Sequence, residues 1–248
     1  HSNQSRFIAA GCAKAGLKYH IVSTDLVTAP LTGNLLLCKL MGAKIHRVPA
    51  EYGRLVAEKI FSDVTEEGGN PYILPDDSFA DIMGMIGFIE TGLELEEQFK
   101  VAEVEGPVRI WGLTGRSIAG LRLYAKNREI DWRATAVQYS PGNVSDFHRV
   151  TAKRARQVAK MFDFRYSLED SDLSVLKDYR GPGYGKPDEG TIEAIRMLGK
   201  AEGLVLDPNY TGKSMSGLIG ELRAGHVDNK ETICFIHSGG LPQVFAHA

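Results

Sequence analysis

Short apolar runs alternate with stretches of helical periodicity along most of the chain, the pattern of βα units built around a parallel sheet. A Ser2-Asn3 cap opens a helix to about Lys14, and the β-rich run Tyr19-His20-Ile21-Val22 predicts a strand. Leu35 to Met41 predicts an apolar helix stopped by Gly42, Lys44 to Val48 a strand, and Glu51 to Thr65 a charged helix. Tyr72-Ile73-Leu74-Pro75 reads as another buried strand, and Ile82 to Phe99, with small residues at Gly84 and Gly87, as a long helix closing a first lobe.

The alternation then resumes. Val108 to Trp111 predicts a strand, Ile118 to Ala125 a helix, Ala134 to Val137 a strand and Val150 to Met161 a helix. Between Asp163 and Pro187 the periodicity fades and Gly181, Gly183 and Gly185 accumulate, which predicts a long loop lining a site. Glu189 to Lys200 and Met215 to Arg223 read as helices, Gly203 to Leu206 as extended and Thr232 to Ile236 as a core strand. The class is therefore α/β, with two lobes, 1–100 and 101–248, each holding a mainly parallel sheet. Such a pair of lobes predicts a ligand cleft between them at the carboxyl ends of strands.

Composition narrows the partners. The 248 residues are 43% hydrophobic and 24% charged, which suits one large or two small domains and excludes disordered and collagen-like classes. The 29 basic and 31 acidic side chains leave a net charge of -2, so no long-range field recommends nucleic acid or an anionic membrane, and small molecules become the expected ligands. Cys12, Cys38 and Cys234 form neither a CxxC pattern nor a disulfide framework, and a reducing, cytoplasmic compartment is expected. No apolar run approaches the roughly 20 residues that span a bilayer. The chain opens at His1, without methionine, and runs straight into a helical pattern, as the inside of a protein would.

Helix amino termini preceded by hydroxyl residues and glycine are the sharpest local features, because they offer unpaired N–H groups and a positive dipole to an anion. Gly112-Leu113-Thr114-Gly115-Arg116-Ser117 follows a strand and opens a helix, so it could cradle a phosphate, although it matches neither GxGxxG nor a Walker pattern. Ser2-Asn3-Gln4-Ser5 and Ile236-His237-Ser238-Gly239-Gly240 read equally as plain caps, and Asp207-Pro208-Asn209-Tyr210-Thr211-Gly212-Lys213 as a capping turn. Tyr184 stands between Gly183 and Gly185. There is no GxSxG elbow and no HExxH or paired-histidine spacing, which argues against hydrolase and metalloenzyme chemistry. Asp76-Asp77 reads as a solvated loop before it reads as an acid pair.

Taken in order, Ser2-Asn3-Gln4-Ser5-Arg6, Gly33-Asn34-Leu35-Leu36-Leu37, Tyr184-Gly185, Leu206 through Lys213 and His237-Ser238-Gly239-Gly240-Leu241-Pro242 resemble the D-cysteine desulfhydrase and 1-aminocyclopropane-1-carboxylate (ACC) deaminase family. The resemblance runs nearly end to end. It implies a pyridoxal-phosphate enzyme of the tryptophan-synthase β-like fold, fold type II. Carried over by position, it places the Ser2 hydroxyl beside the substrate and bonds Asn3 to the cofactor's ring oxygen. Thr114, Gly115, Arg116 and Ser117 take the phosphate loop, Tyr184 and Tyr210 the active-site tyrosines, and Ser238 the hydroxyl that meets the pyridine nitrogen. Three departures stand out: His1 replaces the family's glutamine, Arg116 a glycine, and Ser78-Phe79-Ala80-Asp81 its Gly-Gly-Ser-Asn. An arginine there needs room beside the phosphate, or supplies it with an extra charge. The changed tetrapeptide is expected to alter the region around the substrate carboxylate.

The resemblance thus implies β-elimination from a small amino acid of the D-cysteine kind, giving pyruvate and ammonia. The deaminase branch carries Glu after the tyrosine of DPxY where this chain has Thr211, which favours the desulfhydrase-like lyase. The family's Schiff-base lysine precedes the Ser-Asn segment by a few tens of residues, and Lys213 belongs to a helix start. A preceding amino-terminal segment or separate chain, supplying strands and that lysine, is therefore expected, as is a homodimer. The alternative is a non-catalytic member that binds a phosphate-bearing or amino-acid ligand.

Overall fold

The computed structural model describes residues 2–24, 28, 30–74, 78–139 and 142–246; His1 and the Asp76-Asp77 pair lie outside them. The chain divides into two compact units, His1–Leu74 with Gly240–Ala248, and Pro75–Gly239. Among the described residues no helix is long and apolar enough to cross a membrane.

The first unit holds α1 (Asn3–Ala15), β1 (His20–Ser23), α2 (Gly33–Leu40), β2 (Lys44–Arg47) and, after a 3-10 turn at Ala50–Tyr52, α3 (Gly53–Glu66). β1 and β2 pair in parallel with Ile21 opposite Ile45. Ala9, Ile21, Cys38 and Ala43 form the buried centre, with Leu35 and Ile45 against it. Gly16 closes α1 at φ 67, a conformation that disfavours a side chain, and Leu17 N–H reaches back to the Cys12 carbonyl at 2.8 Å. The 3-10 turn Leu241–Ala246 rejoins this unit, where the Thr32 hydroxyl donates to the Phe245 carbonyl at 3.1 Å.

The strand expected at Tyr72–Pro75 is corrected by the structure. Residues 72–74 have no regular structure, and Tyr72, Ile73 and Leu74 are 70%, 56% and 44% exposed. An apolar run resembles a core strand in composition alone; without a neighbouring strand to complete its ladder it stays on the surface.

The second unit contains α4 (Ser78–Val101), β3 (Val108–Leu113), α5 (Arg116–Asn127), β4 (Trp132–Val137), α6 (Val144–Met161), β5 (Ser174–Leu176), α7 (Glu189–Glu202), α8 (Thr211–Arg223) and β6 (Thr232–Phe235). Its sheet runs β5-β4-β3-β6, every pair parallel. β3 is central, and Val108, Ile110 and Trp111 are almost wholly buried, as a strand covered on both faces requires. β5 falls inside the stretch expected to be loop, since three residues leave too short an apolar signal to read. The extended run expected at Gly203–Leu206 forms no strand.

α4 packs along α5 in this unit instead of closing the first. Glycines permit the close approach. A Cβ on Gly120 would stand 2.4 Å from the Met85 carbonyl oxygen, and one on Gly92 would stand 2.6 Å from the Tyr124 ring.

Candidate active site

The order β5-β4-β3-β6 makes β3 a switch point: the chain steps from β3 to β4 and β5 on one side, and β6 returns on the other. Loops leaving neighbouring strands diverge there, and open α/β sheets bind ligands beside such points. Two predicted segments meet at this edge. Leu113 is the last residue of β3, opposite Val137, and Thr114 N–H donates to the Val137 carbonyl at 3.0 Å. On the other side Ile236 N–H donates to the Trp111 carbonyl at 2.9 Å, which brings His237 and Ser238 beside the end of β3. His237 Nδ1 accepts from Gly239 N–H at 3.2 Å and shapes that turn, while the Ser238 side is exposed.

Gly115 is the N-cap of α5 at φ 129 and ψ -159, backbone that only glycine adopts without strain. Nothing lies within 4 Å of the place its Cβ would occupy. The first N–H groups of this twelve-residue helix carry the positive end of its dipole, and the space beside Gly115 is open. The Arg116 side chain turns along α4: Nη1 donates to the Ala80 carbonyl at 2.9 Å, and its stem fills the groove left by Gly84. Room for this arginine thus comes from a glycine on another helix.

Tyr184 and Tyr210 come together. The Tyr210 hydroxyl donates to the Tyr184 hydroxyl at 3.0 Å, with ring centroids 5.7 Å apart. Burial first, and then the bond to Tyr184, push the Tyr210 phenol well above its ordinary pKa. Tyr210 owes its position to Asp207. This fully buried carboxylate accepts from the N–H groups of Asn209 (2.8 Å), Tyr210 (2.7 Å) and Thr211 (2.9 Å), and from the Thr211 hydroxyl (2.7 Å). It caps α8 from outside the helix. Gly212 is required because a Cβ there would stand 2.6 Å from the Asp207 carbonyl oxygen. The indole of Trp111 donates to the Ser214 carbonyl at 2.9 Å and fixes α8 to the sheet.

In the first unit Ser2 has the extended backbone of an N-cap, φ -61 and ψ 121, yet its hydroxyl makes no capping bond. Asn3 Oδ1 accepts from Asn34 Nδ2 at 2.8 Å, and Asn34 Oδ1 accepts from Arg6 Nε at 3.1 Å. The resemblance-bearing segments Ser2–Arg6 and Gly33–Asn34 are therefore bonded to each other.

Sequence reasoning missed Tyr139, whose ring lies 5.1 Å from that of Tyr210 and 6.5 Å from that of Tyr184. Its only signal was its position just past a strand end, two residues after β4. An open depression of about 930 Å3 lies along α7 between Pro187 and Lys200 and contains none of the predicted residues.

Comparison with known proteins gives the family and the fold. The family profile described as pyridoxal-phosphate dependent enzyme matches residues 1–239. An ACC deaminase of Burkholderia multivorans is 31% identical over 261 positions, covering 100% of this chain and 75% of the relative. One from Rhizobium rhizogenes is 29% identical over 262 positions, covering 100% and 76%. Among solved structures, an ACC deaminase homologue matches at TM-score 0.78 and 27% identity over 100% of this chain and 73% of its own. A serine racemase from Dictyostelium discoideum shares the fold at TM-score 0.57 and 15% identity, over 96% and 73%. With the profile running almost from end to end and a deaminase relative above 30% identity across the whole chain, this protein belongs to the pyridoxal-phosphate-dependent enzymes of fold type II.

Proposed function

We propose that this chain serves a lyase of the D-cysteine desulfhydrase type, eliminating the β-substituent of a small amino acid to give pyruvate and ammonia. The residues fit the cofactor on two observations: the open space at Gly115 where α5 begins, and a hydroxyl residue, Ser238, after β6. Thr114, Gly115, Arg116 through its N–H, and Ser117 would hold the phosphate, and Ser238 the ring nitrogen. Ser2 and Asn3 keep the roles the resemblance implies. When bound, the cofactor draws electrons from the substrate's Cα, and a hydroxyl partner leaves its ring nitrogen mostly unprotonated, which suits β-elimination over transamination.

The chain's own contribution centres on the tyrosines. Tyr210 keeps its proton at neutral pH because burial disfavours the phenolate, and it spends that proton on Tyr184 Oη. Tyr184, whose hydroxyl accepts that bond, is the group we assign to meet a leaving group or a carboxylate of the substrate. Lys213 is engaged by backbone carbonyls, so the lysine that bonds the cofactor is proposed to come from sequence outside residues 1–248.

The observation that carries the choice of lyase is Thr211. Its side chain is 1% exposed, with the hydroxyl on the Asp207 carboxylate. In the deaminase branch a glutamate follows the tyrosine of the same DPxY motif, so the Thr211 hydroxyl held on Asp207 is the residue-level difference that supports the desulfhydrase-like reading. The full-length protein is expected to release 2-oxoacid from D-cysteine or a β-substituted alanine faster than from ACC; the opposite ranking overturns the assignment.

A second reading, ligand binding without turnover, draws on the bond between Arg116 and Ala80, which joins two segments that depart from the family. Full-length protein that folds yet gives no visible absorbance band with pyridoxal phosphate would favour it.

A further inference from the structure

Lys213 is the largest charged side chain that is fully buried among the described residues. A buried ammonium costs several kcal/mol unless its donors are satisfied. All three are: Nζ donates to the carbonyls of Gly183 at 2.5 Å, Arg180 at 2.7 Å and Tyr139 at 3.2 Å. Its bonds go to backbone dipoles, while Asp188 and Asp207 support the charge from farther off. Burial lowers its pKa, and the three carbonyls favour the charged form.

The acceptors have a common feature. Tyr139 lends its own carbonyl, Gly183 immediately precedes Tyr184, and Tyr210 stands three residues before Lys213 at the start of α8. One cation thus binds the backbone of the loop after β4 and of the loop before α7 to the helix that carries the third tyrosine. The three rings form one cluster, with centroids 5.1 to 6.5 Å apart.

We propose that Lys213 is a positioning residue: its charge, acting through three carbonyls, sets the distance between the Tyr184 and Tyr210 hydroxyls. The link to catalysis rests on the role given to those tyrosines under the proposed function; the structural link stands without it. If the stem merely filled space, an uncharged side chain of similar length would serve as well. If the cation is required, removing it takes a donor from each of the Tyr139, Arg180 and Gly183 carbonyls, of which Gly183 keeps the Lys186 N–H at 3.2 Å, and loosens both loops.

Two variants of the full-length protein test this. Lys213→Met keeps an unbranched stem one heavy atom shorter and removes the charge, and should raise amide hydrogen exchange at 138–139 and 180–186 on the order of tenfold or more, leaving β3 and β4 protected. Wild-type exchange in those segments would overturn the proposal. Lys213→Ala removes four heavy atoms, the size of n-propylammonium. Millimolar n-propylammonium should restore exchange protection and thermal stability, whereas 1-propanol, equal in heavy atoms but neutral, should not; equal rescue by both, or none by the amine, overturns it. In the elimination assay Lys213→Met should lower kcat with pyridoxal phosphate affinity unchanged, because the phosphate loop is not among its partners. If the protein proves inactive on every amino acid, that defeats the lyase reading, and the exchange and rescue arms still decide the role of Lys213.

Discussion

Arg116 Nη1 donates to the Ala80 carbonyl at 2.9 Å, so two segments in which this chain departs from its family are bonded to each other. Asp81, next to Ala80, also pairs with Arg154 of α6 at 3.4 Å. The arginine at the start of α5 and the altered segment opening α4 therefore form one connected feature, and Gly84 provides its space.

That connection predicts a coupling. Gly84→Ala would bring a Cβ to 2.0 Å from Arg116 Cδ and 2.9 Å from Cγ, so the arginine must leave its groove. In wild type the substitution should destabilise or be neutral, although alanine gains about 1 kcal/mol over glycine inside a helix. In an Arg116→Ala background the same change should stabilise by roughly that amount. Urea denaturation of the four proteins should give a coupling on the order of 1–2 kcal/mol; additive effects would show that the groove does not hold the arginine.

How much could be read beforehand follows from where each signal resides. The helix at Asn3–Ala15 and the strands at His20–Ser23, Lys44–Arg47 and Trp132–Val137 were legible because periodicity, caps and glycine stops agree there. α6 begins at Val144, six residues before the apolar pattern, because Asn143 Oδ1 caps it by accepting from Ser145 N–H at 3.1 Å. Asp207-to-Lys213 read equally as a cap or a site segment, and it caps α8 while holding Tyr210. Tyr139 and the ties of Lys213 were not legible, since they depend on contacts 30 to 74 residues apart in sequence.

The tyrosine pair should separate chemistry from stability. Tyr210→Phe deletes the donor to Tyr184 and one bond, which costs about 1 kcal/mol of stability. If the pair relays a proton, kcat for elimination should fall by roughly 10- to 1000-fold with substrate KM less affected. Tyr184→Phe should match it in kcat, and the double variant should be no worse than either single one. Multiplying effects in the double variant would mean that the hydroxyls act separately.

Asp207→Asn tests the cap. The amide keeps one acceptor oxygen but turns an NH2 toward donors that now face an oxygen, stranding buried N–H groups at the start of α8. The expected loss is about 2–4 kcal/mol. For a protein of this size that is roughly a 5–15 °C fall in Tm. Asp207→Ala should be worse, and a Tm within 2 °C of wild type for either variant would refute the capping role.

The pH dependence of stability should bear the mark of one cluster between α4 and α5. The Arg128 guanidinium first, and the Tyr124 hydroxyl second, hold the Glu96 carboxyl down to about 2 against the opposing effect of its burial. An unfolded chain takes up that proton near pH 4.3. Between those values the unfolded state binds more protons than the fold, so stability rises with pH across the window. Glu96 contributes fully above about pH 4.3 and is lost as pH falls toward 2. Tyr124 shows the opposite side: burial first, and then the bond to Glu96, push its phenol up to about 12, so its contribution is intact below about 10 and lost as pH rises through 12. Because many other carboxylates also titrate in acid, the measurement is a difference, the urea midpoint of wild type minus that of Glu96→Gln between pH 2.5 and 6. The difference should be largest near pH 6 and shrink as pH falls below about 4.3. A constant offset would show that the carboxylate of Glu96 is not held by its neighbours in the fold.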